Sequence, residues 1–407
     1  MKWIKEVLKQ YLGLPREIYI IFLSRVVNNM GCFVFPMLAL IMTQKIGVTK
    51  DKAGLFITLV ALLSAPSILL GGILVDKIGR KKVLIIFQGF AGLVFISCGF
   101  IKPSILLAVV MMIAQLSAAA SMPANDSMLA DLTTPNNRKE AFSLLYMGNN
   151  LGLAIGPVMG GLLYKNHLNI VFIGDGIATL LSLILVYVFI KETIGVTHNK
   201  HGKDRSHEDR EEGTIFHVLK KRPILVGFAC ILFIYQFSYS QFSFSLPLHL
   251  AELFGDFGAR NFGLLAGINA FVVISITPIM FKLTNKLKPI VVIAFGGILY
   301  SIAFGSLGFI NELPLFFVSI VVMTIGEISI SINLGAYIAN HTPASHRGRV
   351  NGIIPMIYGS GFAFGPLIMG KYISYFGINS GWVFIGVIML IASLLMFLLY
   401  KIETRRE

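Results

Sequence analysis

The stretch Gly71–Lys82, GGILVDKIGRKK, decides the fold because it joins two long apolar segments of the chain. Its first two residues, Gly71 and Gly72, are small enough to let another helix approach closely. A turn and a basic cluster follow, formed by Asp76, Gly79, Arg80, Lys81 and Lys82. Because Lys and Arg concentrate on the cytoplasmic side of membrane helices, this stretch predicts an inner loop between two membrane spans.

The composition of the 407-residue chain is that of an integral membrane protein. Hydrophobic residues make up 56% of it and charged residues only 13%, which is more apolar surface than a soluble domain buries. The net charge of +14 does not indicate nucleic acid, because the basic residues cluster at the ends of apolar runs. The three cysteines lie inside apolar runs without metal-ligand spacing, so no disulfide, metal or other cofactor is expected.

Twelve apolar stretches are each long enough to cross a bilayer, which takes about 20 residues. They are 18–45, 53–75, 83–101, 104–130, 140–164, 168–190, 223–250, 262–283, 289–310, 314–340, 349–375 and 380–400. We therefore predict an all-α membrane protein and number these stretches span one to span twelve. Residues 1–17 read as an amphipathic helix on the inner leaflet, and 401–407 as a cytoplasmic tail.

The distribution of the 34 lysines and arginines predicts the orientation. With the N-terminus inside, the large majority of them face the cytoplasm, so both termini are expected on that side of a bacterial inner membrane. Lys191–Arg222 is polar, mixed in charge and too poor in apolar residues to fold alone. It predicts a cytoplasmic linker, residues 191–222, between two six-helix bundles, 18–190 and 223–400.

The two halves repeat at a constant offset of 209 residues. The offset pairs Gly54 with Gly263, Arg138 with Arg347, Gly152 with Gly361, Gly156 with Gly365 and Pro157 with Pro366. One register without gaps over so long a stretch indicates an internal repeat. Two six-span repeats that start on the same side of the membrane are related by a pseudo-two-fold axis along the membrane normal, with a pathway at their interface.

These features resemble the transporters of the major facilitator superfamily. Residues 72–82 are similar to its loop signature, G-x-L-x-D-[RK]-x-G-R-[RK]-[RK]. GLAIGPVMGG, residues 152–161, resembles the span-five motif of drug:proton antiporters, and TIGEI, residues 324–328, resembles multidrug antiporters of the LmrP kind. The resemblance implies proton-coupled efflux of amphipathic drugs, cationic or neutral, by rocker-switch alternating access. It also implies a gating motif of Gly72, Asp76, Gly79, Arg80 and Asp131.

The charged part of that motif is present only in the first half. At the offset of 209, Asp76, Arg80 and Asp131 correspond to Asn285, Pro289 and Asn340. We predict that Asp76 lies near the positive N-terminal end of span eleven and that Arg80 pairs with Asp131 at the end of span four. Together these contacts would hold the cytoplasmic side closed.

Glu327 in span ten is the first candidate for proton coupling. The sequence has no P-loop, so an ion gradient is the expected energy source, and ionisable groups inside the hydrocarbon are costly enough to be functional by default. Glu327 matches the coupling and drug-binding carboxylate of the LmrP group. It shares a helical face with Thr324 and Ser331, which suggests a polar cavity, and Glu327 and Ser331 are also candidate substrate contacts. A structural acid bonded to Thr324 or to a neighbouring helix is the alternative.

Arg25 and Asp126 lie at matching depth in spans one and four, so they are predicted to pair. The pair is a further candidate for proton coupling if it breaks during transport, and it is only structural otherwise. Asn29 and Gln115 lie on the same two stripes and are candidate substrate contacts. An alternative is that Arg25 binds an anionic metabolite, peptide or lipid, which would make the chain a symporter or exchanger. Asp175 in span six is expected to be structural.

Span seven carries Tyr235, Gln236 and Tyr239, a mixture of aromatic and polar groups that suits an apolar, often cationic ligand.

In span five, small residues spaced by four make one smooth face for a neighbouring helix, and Pro157 bends the span. The residues of this motif are Gly152, Gly156, Pro157, Gly160 and Gly161.

The expected partners are a small-molecule substrate, protons and the lipid bilayer, with the protein a monomer. A transport-inactive membrane scaffold stays open as a different class, and no nucleophile and base pair supports an enzyme.

Overall fold

A computed structural model describes residues 11–134, 137–194, 223–341 and 347–405, and this part of the chain is helical with no β-strand. The first half contains α1 (Arg16–Met30), α2 (Val34–Leu40), α3 (Lys50–Ile78), α4 (Arg80–Cys98), α5 (Ile105–Asp131), α6 (Arg138–Leu153), α7 (Gly156–Tyr164) and α8 (Leu168–Phe189). The second half contains α9 (Pro223–Ser240), α10 (Ser245–Phe254), α11 (Gly258–Thr284), α12 (Pro289–Ser306), α13 (Leu313–Asn340), α14 (Arg347–Phe376) and α15 (Ile378–Thr404). Residues 1–10 of the predicted N-terminal amphipathic helix and most of the predicted linker lie outside the described residues. Residues 11–13 form a turn, and the first described helix begins at Arg16.

The all-helical prediction is confirmed, but the count of twelve spans is not. In the described residues, nine helical runs are long and apolar enough to cross a membrane. Spans seven and eight count there as a single run, Pro223–Thr284. Span five is divided into two shorter helices, α6 and α7, and span eleven is not among the nine runs. The number twelve therefore stays a prediction from the sequence.

Like span five, spans one and seven are interrupted rather than continuous. Span one stops at Met30, restarts at Val34 and ends in a π-helical turn, Ile41–Lys45. Span seven stops at Ser240 and restarts at Ser245. These two breaks occupy equivalent positions at the offset of 209, so the repeat extends to the local backbone.

The described residues pack into two compact units. One unit takes its residues from Met1–Gly47, Leu59–Gly202 and Ala259–Ala270. The other takes its residues from Val48–Thr58, Lys203–Gly258 and Phe271–Glu407. Each unit thus contains most of one sequence half and a short helical segment from the other half.

The glycines of span five supply the smooth packing face that the sequence predicts. A Cβ atom added at Gly156 would lie 2.6 Å from the carbonyl oxygen of Asn29, and one at Gly160 would lie 3.2 Å from that of Phe33. A side chain at Gly156 would therefore collide with the backbone of span one, and one at Gly160 would be crowded against it. Pro157 does not simply bend a continuous helix. Span five ends its first helix at Leu153, and Pro157 occupies the first turn of the next one.

The same contacts recur in the second unit at the offset of 209. Gly361 approaches the backbone of Phe233 and Phe237 in span seven, as its equivalent Gly152 approaches the backbone of span one. Gly161 packs on Ala259, and its equivalent Gly370 packs on Lys50, the equivalent of Ala259. The internal repeat read from the sequence is thus also a repeat of packing.

Candidate functional site

Glu327 lies in α13, near the middle of span ten, and receives a hydrogen bond from a tyrosine of another helix. The hydroxyl of Tyr239 donates to Oε1 of Glu327 over 2.8 Å. Tyr239 comes from the last turn of α9, directly before the break in span seven. Its ring stacks on Tyr300 and on Phe242, with centroid distances of 6.1 and 6.4 Å. The candidate coupling acid therefore lies beside an aromatic cluster.

The position of Glu327 follows from a close approach of α12 and α13. A Cβ atom added at Gly326 would lie 2.8 Å from the carbonyl oxygen of Gly296 and 2.9 Å from the ring of Tyr300. Because both helices have glycine at the crossing, the residue next to Gly326 is brought close to the aromatic groups of spans seven and nine. Sequence reasoning missed Tyr300, since nothing in the pattern of span nine indicates which of its residues faces span ten.

Thr324 and Ser331, predicted to share a polar face with Glu327, lie in different surroundings. The hydroxyl of Thr324 is fully buried and donates to the carbonyl of Ile320 within its own helix. Ser331 is exposed. Tyr239 on the neighbouring helix is thus a side-chain partner of Glu327, and this bond suits either a structural or a coupling acid.

The three predicted substrate residues of span seven are also separated by the structure. Tyr235 is only 2% exposed, and its hydroxyl lies against Gly297 and 3.4 Å from the carbonyl oxygen of Ile293. It therefore packs into α12, and the assignment of this residue to a binding wall needs correction, because its ring is not accessible to a ligand. Gln236 is half-buried, and Tyr239 is half-buried beside Glu327.

Arg25 and Asp126 form the ion pair predicted for the first half, with Nη2 and Oδ1 separated by 3.4 Å. The carboxylate side chain is 67% exposed and the arginine side chain 25%. The Nε atom of Arg25 is buried and has no hydrogen-bond partner among the described residues. Arg25 thus keeps a donor that the pair with Asp126 does not use.

Asn29 and Gln115 accompany this pair on the same two helices. The side-chain amide of Asn29 donates to Oδ1 of Asn149 in span five over 2.9 Å and to the carbonyl of Arg25 over 3.1 Å. Gln115 is half-buried in α5. The geometry ties Asn29 to span five, and a substrate contact for either residue stays a prediction.

Asp175 has the structural role expected for it. Its buried carboxylate accepts hydrogen bonds from the backbone N–H groups of Phe33 and Val34, over 3.2 and 3.0 Å. These are donors that a helix start leaves without partners inside the helix. Asp175 therefore holds the second part of span one, α2, at the point where that span is broken.

The signature loop is held by charged groups from two other spans of the same unit. Nε of Arg80 lies 2.9 Å from Oδ2 of Asp131, so the predicted ion pair at the end of span four is present. The same carboxylate oxygen accepts a hydrogen bond from the hydroxyl of Thr193 over 3.0 Å. Asp76 lies 3.7 Å from the guanidinium of Arg80. A contact between Asp76 and span eleven stays a prediction.

Glu192, directly after span six, is a part of this loop that sequence reasoning missed. Its carboxylate accepts hydrogen bonds from the backbone N–H groups of Arg80 over 2.9 Å and Lys81 over 3.2 Å. Gly79 adopts φ +106°, and a Cβ atom there would lie 2.5 Å from the carboxylate of Glu192. The turn therefore requires glycine. An acid beside the positive N-terminus of α4, on the same membrane face, is the signal that could have revealed it.

The ionisation of Glu192 follows from these contacts. Partial burial acts to raise the pKa of the Glu192 carboxyl, but four backbone N–H groups act against it. Those of Ile194, Lys81, Arg80 and Thr193 together hold the pKa below its ordinary value. The turn thus contains a permanent negative charge at neutral pH.

The two glycines that open the signature stretch have different surroundings. Gly71 lies against the backbone of Ala120 in span four, so a side chain there would collide with it. A Cβ atom added at Gly72 would meet nothing within 4 Å. The expectation that both glycines permit close helix approach is therefore wrong for Gly72 and right for Gly71.

The fold and these sites define a multi-span membrane transporter. The family model described as Major Facilitator Superfamily matches residues 20–304 and 228–407, so the chain belongs to that family. The likeness to solved structures shows the same fold. A POT family transporter in complex with a thioalcohol-conjugated peptide gives a TM-score of 0.77 at 15% identity, covering 96% of this chain and 97% of that one. A bacterial homolog to the human lysosomal transporter Spinster gives 0.75 at 16% identity, covering 94% and 96%.

Two curated relatives are similar over most of their length. A Na(+), Li(+), K(+)/H(+) antiporter of Planococcus maritimus is 24% identical over 381 residues, covering 88% of this chain and 89% of the relative. The tetracycline resistance protein, class B, of Escherichia coli is 23% identical over 361 residues, covering 86% and 87%. The chain is therefore a multi-pass membrane transporter, with a small-molecule substrate and coupling to protons or other ions implied by its family.

Proposed function

We propose that the chain is a secondary active transporter that uses a proton gradient to export amphipathic compounds, cationic or neutral, by rocker-switch alternating access. The observation that carries the proposal is the Glu327 carboxylate bonded to Tyr239 and placed beside stacked aromatic rings. A carboxylate with aromatic faces is the combination that attracts apolar cations. It is also the kind of intramembrane acid that transporters use as a proton relay.

The proposed cycle uses one carboxyl group for two ligands in turn. The ionised Glu327 pairs with a cationic substrate when the site is open to the cytoplasm. A proton from the outer side then converts Glu327 to the neutral acid and removes the charge that held the substrate. The proton leaves to the cytoplasm when the site opens inward again. One proton enters for each cationic substrate expelled, so the Glu327 carboxylate holds one positively charged ligand at a time.

The signature loop belongs to the gate in this proposal. Arg80 and Asp131 fix the loop to span four, and Glu192 fixes it to span six. These contacts leave the loop rigid, so that Asp76 can be presented to the N-terminal end of span eleven when the cytoplasmic side closes. The gate and the coupling acid are thus proposed to be separate sites.

The test is transport in proteoliposomes that contain the purified protein under an imposed pH gradient. Wild type is expected to accumulate a cationic dye, and Glu327→Gln is expected to lose the accumulation, because an amide cannot cycle a proton. Tyr239→Phe keeps the ring and removes the hydrogen bond, so it is expected to transport with an altered pH dependence. Glu312→Gln, a change at an exposed acid, is the matched control. If Glu327→Gln transports as well as wild type, the coupling role of Glu327 is wrong.

An anionic substrate is a second candidate, favoured by the unused Nε donor of Arg25. The same vesicles are therefore tested with a peptide and with an anionic metabolite, and Arg25→Ala is compared with wild type. Loss of anion uptake with intact dye export would assign Arg25 to an anion site. Gradients of Na⁺ and K⁺ form a further arm, since one relative is named for exchanging these ions with protons. A chain that moves none of these solutes would be a scaffold.

A further inference from the structure

The end of α8 carries two exposed aromatic side chains, and each has a cation from another helix over its ring. The ammonium group of Lys81, at the start of α4, lies 5.0 Å from the centre of the Tyr187 ring and donates to the carbonyl oxygen of Tyr187 over 2.7 Å. The guanidinium group of Arg16, at the start of α1, lies 6.0 Å from the ring of Phe189. Both distances are within the range of cation–π attraction, so the two cations are held at the end of span six.

Two further exposed basic residues lie within two positions of these pairs in the sequence, and the four together are called the span-six cluster. Its members are Arg16, Lys81, Lys82 and Lys191. Within the described ranges, no carboxylate lies within 4 Å of their charged groups. Two acids, Glu17 and Glu192, adjoin the cluster in the sequence, and the carboxylate of Glu192 is directed at the backbone of the signature turn. Even with both acids counted, the cluster has an excess of positive charge.

The cluster is confined to the first half of the chain. At the offset of 209, its four members correspond to Leu225, Ile290, Val291 and Tyr400. The two aromatic residues correspond to Met396 and Leu398. The preference of basic residues for one side of the membrane acts on both halves alike. It does not account for four cations in one half and none at the equivalent positions of the other, so the cluster indicates a ligand of the first half.

Exposed apolar stripes lead away from the cluster along α8 and α4. The stripe of α8 recurs every three or four residues, with members between 45% and 60% exposed: Ile177, Leu181, Ile184 and Val188. The stripe of α4 begins at a member of the cluster and consists of Lys82, Ile86, Phe90 and Leu93. The two helices are in close contact, since a Cβ atom added at Gly92 would lie 3.2 Å from the carbonyl oxygen of Gly176. Cations at one end of an apolar surface match a molecule with an anionic head and hydrocarbon tails.

We propose that the span-six cluster binds the headgroup of an anionic phospholipid, with the acyl chains lying along the stripes of α8 and α4. Lysine and arginine donate charge-assisted hydrogen bonds to phosphate oxygens. Basic groups between membrane helices are also the pattern that recognises anionic headgroups. The orientation predicted from the sequence places this lipid in the cytoplasmic leaflet. The stripes favour a lipid over soluble phosphate, because a soluble ion has no apolar part to place on them. Lipid binding does not depend on the proposed transport function.

Lipid binding is measured by native mass spectrometry of the full-length protein in detergent. The protein is titrated with phosphatidylglycerol or with phosphatidylcholine of the same acyl chains, and the affinity for the first bound lipid is compared. One basic residue near an anionic headgroup contributes about five-fold in affinity. Wild type is therefore expected to prefer phosphatidylglycerol by more than this factor. Equal affinity for the two lipids overturns the inference.

Substitutions locate the binding site. Lys82→Gln is expected to weaken phosphatidylglycerol binding by about five-fold, and the double variant Arg16→Gln/Lys82→Gln is expected to weaken it further. Binding of phosphatidylcholine is expected to change in neither variant. Lys288→Gln is the matched control, because the ammonium group of Lys288 lies 5.4 Å from the ring of Tyr400 in a similar pair of the second half. If Lys288→Gln loses as much affinity as Lys82→Gln, the lipid responds to general surface charge and the inference is wrong.

Thermal unfolding in detergent distinguishes a lipid from a soluble anion and shows whether the variants fold. Phosphatidylglycerol is expected to raise the melting temperature of wild type more than that of the double variant. Inorganic phosphate at the same concentration is expected to produce no such difference. A difference of equal size with inorganic phosphate would assign the cluster to a soluble anion and overturn the lipid proposal. If the double variant does not fold, Lys82→Gln is used in its place, and a folded Lys82→Gln protein that binds phosphatidylglycerol like wild type also overturns it.

Discussion

Replacing Glu192 tests whether the signature loop is held from span six. The carboxylate accepts hydrogen bonds from Arg80 and Thr193, both over 2.9 Å, and from Lys81 over 3.2 Å. The first and third of these donors belong to the start of α4, where N–H groups have no partner inside the helix. Losing such an acceptor costs about 0.5–2 kcal/mol. Because Glu192 is partly exposed, solvent screens its charge, and the lower half of that range is expected for Glu192→Ala.

The dependence on pH follows from the lowered pKa of the Glu192 carboxyl. A carboxyl group whose pKa is lower in the folded state stabilises the fold above its unfolded value, which is about 4.3 for glutamate. The stabilisation is then lost as the pH falls through the folded value. We therefore expect the difference between wild type and Glu192→Gln to be constant from neutral pH down to about pH 5 and to shrink below pH 4.

The measurement is thermal unfolding of purified protein in detergent, followed over this pH range. Glu192→Gln keeps one acceptor oxygen without the charge, so it is expected to cost less than Glu192→Ala. Glu312→Gln removes a charge from an exposed acid and is expected to have no effect. An unchanged melting temperature for Glu192→Ala at neutral pH would refute this account of the loop. A difference in melting temperature between wild type and Glu192→Gln that stays the same below pH 4 would also refute it.

Two further predictions concern the packing of glycines between helices and the hydrogen bonds that hold the break in span one. Gly156→Ala places a Cβ atom 2.6 Å from a backbone oxygen of span one and is expected to cost about 1–3 kcal/mol in thermal unfolding. Gly72→Ala meets nothing within 4 Å and is expected to stabilise α3 by about 0.5–1 kcal/mol, so equal effects for the two would contradict the packing argument. Asp175→Ala removes the acceptor of the Phe33 and Val34 N–H groups and is expected to cost about 1–3 kcal/mol, with Asp175→Asn keeping part of it. Identical melting curves for the alanine variant and wild type would show that span one does not need this bond.

The sequence predicts those features that depend on local spacing or on depth in the membrane. Glycines spaced by four predict the face of span five that packs on span one. Matching depth predicts the pair of Arg25 and Asp126, and the comparison of the two halves predicts that of Arg80 and Asp131. In each case the membrane supplies a common axis along which residues from distant parts of the sequence can be ordered.

Apart from Glu192, the features that sequence reasoning missed depend on which helices meet and on which of their faces. Pro36, in the first turn of α2, marks the break in span one. What the sequence does not show is that Asp175 holds this break from span six, 141 residues along the chain from Val34. Tyr235 and Tyr239 lie one helical turn apart, yet one packs into α12 and the other bonds to Glu327. Hydropathy does not distinguish these faces, because a membrane helix is apolar on all sides.

The two halves use one packing position for two kinds of chemistry. In the first half, the end of span four meets the end of span six through Asp131 and Thr193, with Arg80 against the same carboxylate. In the second half, the end of span ten meets the end of span twelve through His341 and Glu403. At the offset of 209, Asp131 and Thr193 correspond to Asn340 and Ile402, each directly before His341 and Glu403, so the two halves join equivalent helix ends through different side chains.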